Sequence, residues 1–112
     1  MALILTTPVY TGQTESIIYD IVPSSATKVV DTVELLHKNT VHWIVEITDQ
    51  LTNDRLSQQI LATVSNSNVK YSRYSLIGTL LSHTINITYT GTSLELSISN
   101  SSSNQFDVTI IK

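Results

Sequence analysis

Residues 39–50, "NTVHWIVEITDQ", could form either a helix with a metal site or a strand that belongs to a core, and the fold depends on which of the two they form. On a helix, His42 and Glu46 would lie four residues apart on one face, as two metal ligands would. On a strand they would stand about 13 Å apart, too far to share one ion. Alternate positions are apolar, namely Val41, Trp43, Val45 and Ile47. This alternation predicts a central strand with Trp43 as the core anchor, and with His42 and Glu46 facing outward or toward a partner.

The rest of the chain indicates an all-β domain. Ser, Thr and Asn make up 38 of the 112 residues, and only 15 residues are charged, a profile that suits pleated surfaces better than helices. Short alternating segments recur from residue 28 onward, and "TINITYTGTSLELSISN" is a hairpin that turns at Gly91. "RLSQQILAT" could also form a short helix, although strand is favoured. We therefore predict an antiparallel β-sandwich of about seven to eight strands, with a small β-barrel as the alternative.

The first 27 residues differ from the remainder. They contain both prolines and an isolated apolar run, "SIIYDIV". Its apolar side chains need burial, either in the chain's own core or against a partner; they are Ile17, Ile18, Tyr19, Ile21 and Val22. Residues 1–27 are therefore predicted to be either an extended N-terminal arm that binds a partner or the first strand, and residues 28–112 form the β-sandwich domain.

Charge and cysteine content limit the partners. The formal net charge is -3, and the six Lys and Arg residues are scattered singly, which argues against nucleic acid. No cysteine is present, so disulfides and Cys-type zinc sites are excluded. The apolar N-terminus lacks a basic n-region, and no stretch has the length of a transmembrane helix, so neither a secretion signal nor membrane association is expected.

No catalytic motif stands out. The histidines, His37, His42 and His83, do not have the i, i+2 spacing that brings ligands together on a strand. There is no Gly-x-Ser-x-Gly turn, and three glycines are too few for a phosphate-binding loop. The expectation is a protein that is not an enzyme and that holds no metal or cofactor.

One surface patch is a candidate for binding. Tyr71, Arg73 and Tyr74 could contact a sugar or a protein, because tyrosine offers stacking area with a hydroxyl and arginine offers a planar set of donors. The alternative is that Tyr71 and Tyr74 pack at the rim of the sandwich.

Several segments resemble a β-domain of virion structural proteins of tailed bacteriophages, especially those infecting marine cyanobacteria. They are "VVDTVELLHKNTVHWIVEITD", "QILAT", "VKYSRYSLIG" and "LELSISNSSSNQFDVTIIK", within residues 29–112. The residues that carry the resemblance are Val30, Asp31, Trp43, Asp49, Gly78 and Asn100. In such proteins the unit is a repeated or terminal module of tail or capsid-associated polypeptides, and the family has no catalytic residues to carry over.

The resemblance implies a non-enzymatic virion protein whose partners are major capsid or tail proteins and further copies of itself. A capsid decoration or cement subunit, anchored partly through residues 1–27, is the first expectation. A tail or baseplate accessory subunit is the second. A carbohydrate-binding or host-surface-binding module is the competing class, and it would use Tyr71, Arg73 and Tyr74.

Overall fold

The computed structural model describes residues 16–112, and it is built entirely of strands and their connections. The eight strands are β1 Ile17–Val22, β2 Thr27–Glu34, β3 Thr40–Asp49, β4 Arg55–Ser65, β5 Asn68–Gly78, β6 His83–Tyr89, β7 Ser93–Asn100 and β8 Phe106–Ile111. The predicted all-β, sandwich-like fold is confirmed, and "RLSQQILAT" is a strand. Within residues 16–112 no helix is long and apolar enough to cross a membrane.

Two antiparallel sheets of unequal width form the sandwich. The wider sheet has the order β1-β8-β3-β4-β5, and the narrower sheet has the order β2-β7-β6. The β4–β5 hairpin turns through Asn66 and Ser67, which both have positive φ, at 52° and 63°. Two such residues match the twist of a tight hairpin, and Asn tolerates this conformation well. In the order of the wider sheet, β5 is an edge strand whose only hydrogen-bonded neighbour is β4.

The core lies between the sheets, and β3 is at its centre. Its residues alternate between buried and more exposed positions along the strand, and Trp43 is fully buried as predicted. The aliphatic side chains of β4, β7 and β8 complete the core around it. In β2 the alternation fails, because a bulge between Val29 and Asp31 leaves Val29 46% exposed while Val30 and Asp31 are both buried.

Buried polar groups connect the two sheets. The indole Nε1 of Trp43 donates to Oδ2 of Asp31 at 2.8 Å, and Nζ of Lys112 donates to Oδ1 at 3.0 Å. Asn100 donates from Nδ2 to the carbonyl oxygens of Val22 and Asn104. Within residues 16–112 every buried side-chain nitrogen and oxygen has a hydrogen-bond partner, and these contacts help to fix how one sheet lies on the other.

Asp49 and Gly78, two further residues that carry the resemblance, have structural roles at the ends of strands. Asp49 accepts backbone hydrogen bonds from Leu51 and Thr52 and a side-chain hydrogen bond from Asn104, so it closes the β3–β4 turn. These hydrogen bonds, led by that from Asn104, lower the pKa of Asp49 below its usual value. Gly78 has a φ of +117°, and a Cβ there would collide with the carbonyl oxygen of Arg55. The residues behind the resemblance therefore maintain the fold.

Of residues 1–27, residues 1–15 lie outside the described part of the chain. Residues 17–22 form β1, which pairs with β8 of the same chain. Val22 is fully buried in the core and Ile18 is partly buried against it, whereas Ile17, Tyr19 and Ile21 are exposed. Those three exposed side chains of the predicted arm are the ones that a partner could reach.

Candidate functional site

The β5 edge is the most exposed strand of the domain. It is eleven residues long, and every residue except Val69 is exposed. It is exposed because the wider sheet has five strands and the narrower one has three, so the far edge of the wider sheet extends beyond its cover. Side chains on this strand are therefore largely free of the constraints of core packing.

The structure places the predicted patch on this strand, divided between its two faces. Tyr71 pairs with Ala62 and Arg73 pairs with Ile60, both of which are inward positions of β4. Tyr74 pairs with Gln59, which lies on the outer face of the wider sheet. Tyr71 and Tyr74 are 47% and 38% exposed. The binding role of these three residues stays a prediction, and the register assigns Tyr74 a different set of neighbours from the other two.

The neighbours of Tyr74 form a polar surface across three strands, which we call the outer patch. It consists of Thr40 and His42 on β3, Gln59, Leu61 and Thr63 on β4, and Lys70, Ser72 and Tyr74 on β5. A shallow depression of about 440 Å³ lies over one end of this patch, beside Leu61, Thr63 and Lys70. The patch has no carboxylate of its own.

The centre of the outer patch is a hydrogen-bonded cluster. Nε2 of His42 lies 2.9 Å from Oε1 of Gln59 and 3.1 Å from the hydroxyl of Tyr74. The His42 and Tyr74 rings are stacked, with centroids 6.3 Å apart and planes 18° apart. With the proton on Nε2, His42 donates to Gln59, and the phenolic oxygen can share that proton, which leaves the Tyr74 hydroxyl hydrogen free to donate outward.

This arrangement suits the recognition of polar rings. Stacked aromatic side chains offer an apolar face, while the Gln59 amide and the Tyr74 hydroxyl provide donors and acceptors at its rim. The side chains are held in place by each other and by the sheet, so little conformational freedom is lost on binding. The outer patch is thus a preorganised surface with few charges.

A second cluster occupies the other face of the β5 edge. Nε of Arg73 donates to Oε1 of Gln58 at 2.7 Å, and Nη2 lies 3.2 Å from Nε2 of His83. Nε2 of His83 also lies 3.1 Å from the Gln58 amide nitrogen, and Nδ1 lies 2.8 Å from the carbonyl oxygen of Leu81. Two donors at Nε2 and an acceptor at Nδ1 require a neutral imidazole with its proton on Nδ1.

Burial reinforces that neutral state. It lowers the pKa of His83 below its usual value, and the positive charge of Arg73 lowers it further, against the opposing effect of the hydrogen bond to Leu81. Gln58 is fully buried at an inward position of β4, where the sequence pattern is otherwise apolar. A polar residue at an otherwise apolar inward position is the sequence signal for this cluster.

Residues 40–49 form a strand, so the helical spacing that would bring His42 and Glu46 together as metal ligands does not occur. His42 is exposed and Glu46 is half-buried on the outer face, on a strand as predicted. Within residues 16–112, no group of three or more His, Asp or Glu side chains could hold a metal ion.

Comparison with known proteins yields structural similarity only. No protein-family model matches the chain, and no curated protein matches it. The chain is similar in structure to the tailspike protein of Acinetobacter phage vB_ApiP_P1, with a TM-score of 0.55 and 12% identity over 88% of this chain. It also aligns with the tailspike protein gp49 of Acinetobacter baumannii bacteriophage Fri1, a capsular polysaccharide depolymerase, with a TM-score of 0.48 and 22% identity over 87% of this chain. The chain spans 21% and 16% of those two proteins, respectively.

The second similarity corrects one expectation. The prediction that the protein is not an enzyme is contradicted, because one of the proteins with which the chain aligns is an enzyme. The absence of sequence motifs does not exclude catalysis, because catalytic residues can converge from separate strands. The alignment assigns no catalytic residue to this chain.

Proposed function

We propose that this chain is a carbohydrate-binding, host-surface recognition domain of a phage tail-associated virion protein, and that the outer patch contacts the glycan. The observation that carries the proposal is the exposed, preorganised cluster of His42, Gln59 and Tyr74 on the uncovered face of the wider sheet. Such a cluster can bind a sugar through two kinds of contact. The sugar ring stacks on an aromatic face, and the sugar hydroxyls form hydrogen bonds with the polar groups at its rim.

The location in a virion tail is supported by the fold. The similar structure with a TM-score of 0.55 is a phage tailspike protein, of which this chain matches one part. That similarity favours a tail-associated role, the alternative expected from the sequence, over capsid decoration. Capsid decoration anchored through residues 1–27 stays a prediction, and so do homo-oligomer formation and partnership with capsid or tail proteins.

The proposal is tested by glycan binding. The purified chain, fluorescently labelled, is applied to an array of bacterial capsular and O-antigen polysaccharides, and bound label is measured against concentration. Wild type should bind at least one polysaccharide saturably. Tyr74→Ala should weaken binding about tenfold or more, since it removes both the stacking ring and the hydroxyl. Tyr74→Phe, which keeps the ring, should have an intermediate effect.

Tyr19→Ala is the matched control. Tyr19 is a 76% exposed tyrosine on the same face of the same sheet, at the opposite edge, so its removal should leave binding unchanged. Absence of saturable binding to any polysaccharide contradicts the proposal. Equal losses from Tyr19→Ala and Tyr74→Ala would contradict the assignment of the site to the outer patch.

A further inference from the structure

Charge is segregated along this chain. The formal net charge is -3, yet residues 55–94 contain no Asp or Glu, and that stretch includes Lys70 and Arg73. Within residues 16–112 the only ion pairs are Lys28 with Asp20 and Lys112 with Asp31. Lys70 and Arg73 are both exposed on β5. An acidic protein therefore presents uncompensated positive charge at one sheet edge.

The environment of Arg73 is unusual for a structural arginine. Its guanidinium is held by the Gln58 amide and the His83 imidazole, which are both uncharged in this arrangement. A carboxylate in either position would have neutralised the charge. The two contacts fix the direction of the guanidinium and use two of its five N–H groups, so three remain for an incoming acceptor. Arg73 is thus oriented while its charge is left unpaired.

The geometry points to an acidic polysaccharide as the ligand of the β5 edge, with Arg73 and Lys70 pairing with its carboxylates; this inference rests on the proposed function. Lys70 belongs to the outer patch, in register with Thr63. The two cations are three residues apart, about 10 Å along the strand. They lie on opposite faces of an edge strand that is exposed on both sides, so one extended polymer following that edge reaches both. Tyr74, one residue beyond Arg73, would stack on a sugar ring adjacent to the carboxylate that pairs with Arg73.

A polysaccharide is favoured over nucleic acid by the number of cations. Nucleic-acid binding typically neutralises about six to ten phosphates. The β5 strand offers Lys70 and Arg73 next to an aromatic cluster, and the protein as a whole is acidic. Sparse charges combined with stacking and hydroxyl contacts match a sugar polymer that carries occasional carboxylates.

The test compares acidic and neutral polymers at low and physiological salt. Binding of the purified chain to immobilised polygalacturonate, to neutral dextran, to duplex DNA and to the polysaccharide array is measured. We expect stronger binding to acidic than to neutral polysaccharides, weakened by salt. Arg73→Gln and Lys70→Gln should each weaken binding to acidic polysaccharides about tenfold, and Arg73→Lys should restore part of the loss. Arg55→Gln is the matched control, since it removes the same charge at the far end of the same hairpin, about 26 Å along β4 from Thr63.

The outcomes separate this inference from the proposed function. One outcome is that acidic and neutral polysaccharides bind equally well, with binding that requires Tyr74 but not Arg73. That result contradicts an acidic ligand and remains consistent with the proposed carbohydrate-binding function. Failure to bind any polysaccharide overturns both. Binding to DNA as tight as to polygalacturonate, or an equal loss with Arg55→Gln, reduces the effect to general attraction of polyanions and overturns the site.

Discussion

Strands β3 and β5 have similar lengths and similar alternating sequences, but their side chains are buried to very different extents. In β3, alternate residues from Val41 to Asp49 are buried, whereas in β5 no residue is fully buried. The difference comes from position in the sheet. β3 lies between β8 and β4 beneath the narrower sheet, while β5 has one neighbour and lies beyond that cover. Alternation of apolar and polar residues thus predicts a strand, and sheet topology determines what the apolar residues do.

The comparison also separates stability from recognition. Trp43 in β3 uses its ring to fill the core and its N–H to satisfy Asp31. Tyr74 in β5 uses its ring and hydroxyl on a surface that nothing in the described chain covers. The same kinds of chemical group therefore maintain the fold at the centre of the sheet and are available to a ligand at its edge.

The strongest destabilisation should come from a substitution at the centre of the sheet. Trp43→Ala should lower the free energy of unfolding by about 3 to 5 kcal/mol, because it leaves a large cavity between the sheets. Trp43→Phe should cost about 1 to 3 kcal/mol, mainly because the buried Asp31 loses a donor. Tyr71→Ala on β5 should change stability by about 0.5 kcal/mol or less. Urea denaturation of the three variants measures the contrast, and a similar loss for Trp43→Ala and Tyr71→Ala would remove the distinction between the strands.

A smaller effect is expected where β5 ends. Gly78→Ala should cost on the order of 3 kcal/mol, because a Cβ would collide with the Arg55 carbonyl and a φ of +117° is unfavourable for alanine. Gly91→Ala is the control: its φ is +104°, but no atom lies within 4 Å of the added Cβ. It should cost about 1 to 2 kcal/mol from backbone conformation alone. Equal melting temperatures for the two variants would show that the β4–β5 contact at Gly78 adjusts without cost.

Local patterns predicted much of the fold. The alternation around Trp43 identified β3 and its buried face, and the Gly91 turn identified the hairpin of β6 and β7. Both features depend on residues close in sequence, whose geometry follows from the strand period and turn chemistry.

Long-range contacts account for what the sequence did not reveal. Nothing in the pattern of β5 shows that it is an uncovered edge strand, because that depends on the order of strands in the wider sheet and on the unequal widths of the two sheets. The contacts of Arg73 with Gln58 and His83 join three strands, and the β4–β5 bulge between Ser57 and Gln59 sets their register. Tyr71, Arg73 and Tyr74 were identified by residue type, but their division between two faces required the register.

A weaker change, in the pH dependence of stability, should arise at the β5 edge itself. Because the pKa of His83 is lowered in the folded chain, the unfolded chain binds a proton more readily as the pH falls below about 6.5. The contribution of neutral His83 is fully present above that pH and is lost as the pH falls through the lowered value. A protonated Nε2 would also face the donors of Gln58 and Arg73, which loosens β5 from β6.

Urea denaturation between pH 7 and 5 should show this loss for wild type and a flatter profile for His83→Gln. His42→Gln, which removes an exposed histidine and leaves the cluster around His83 intact, is the matched control. Asp20 and Asp49 also have lowered pKa values, but their contributions are lost only below about 3.8, outside this range. An unchanged slope in His83→Gln would show that the imidazole does not hold the β5 edge.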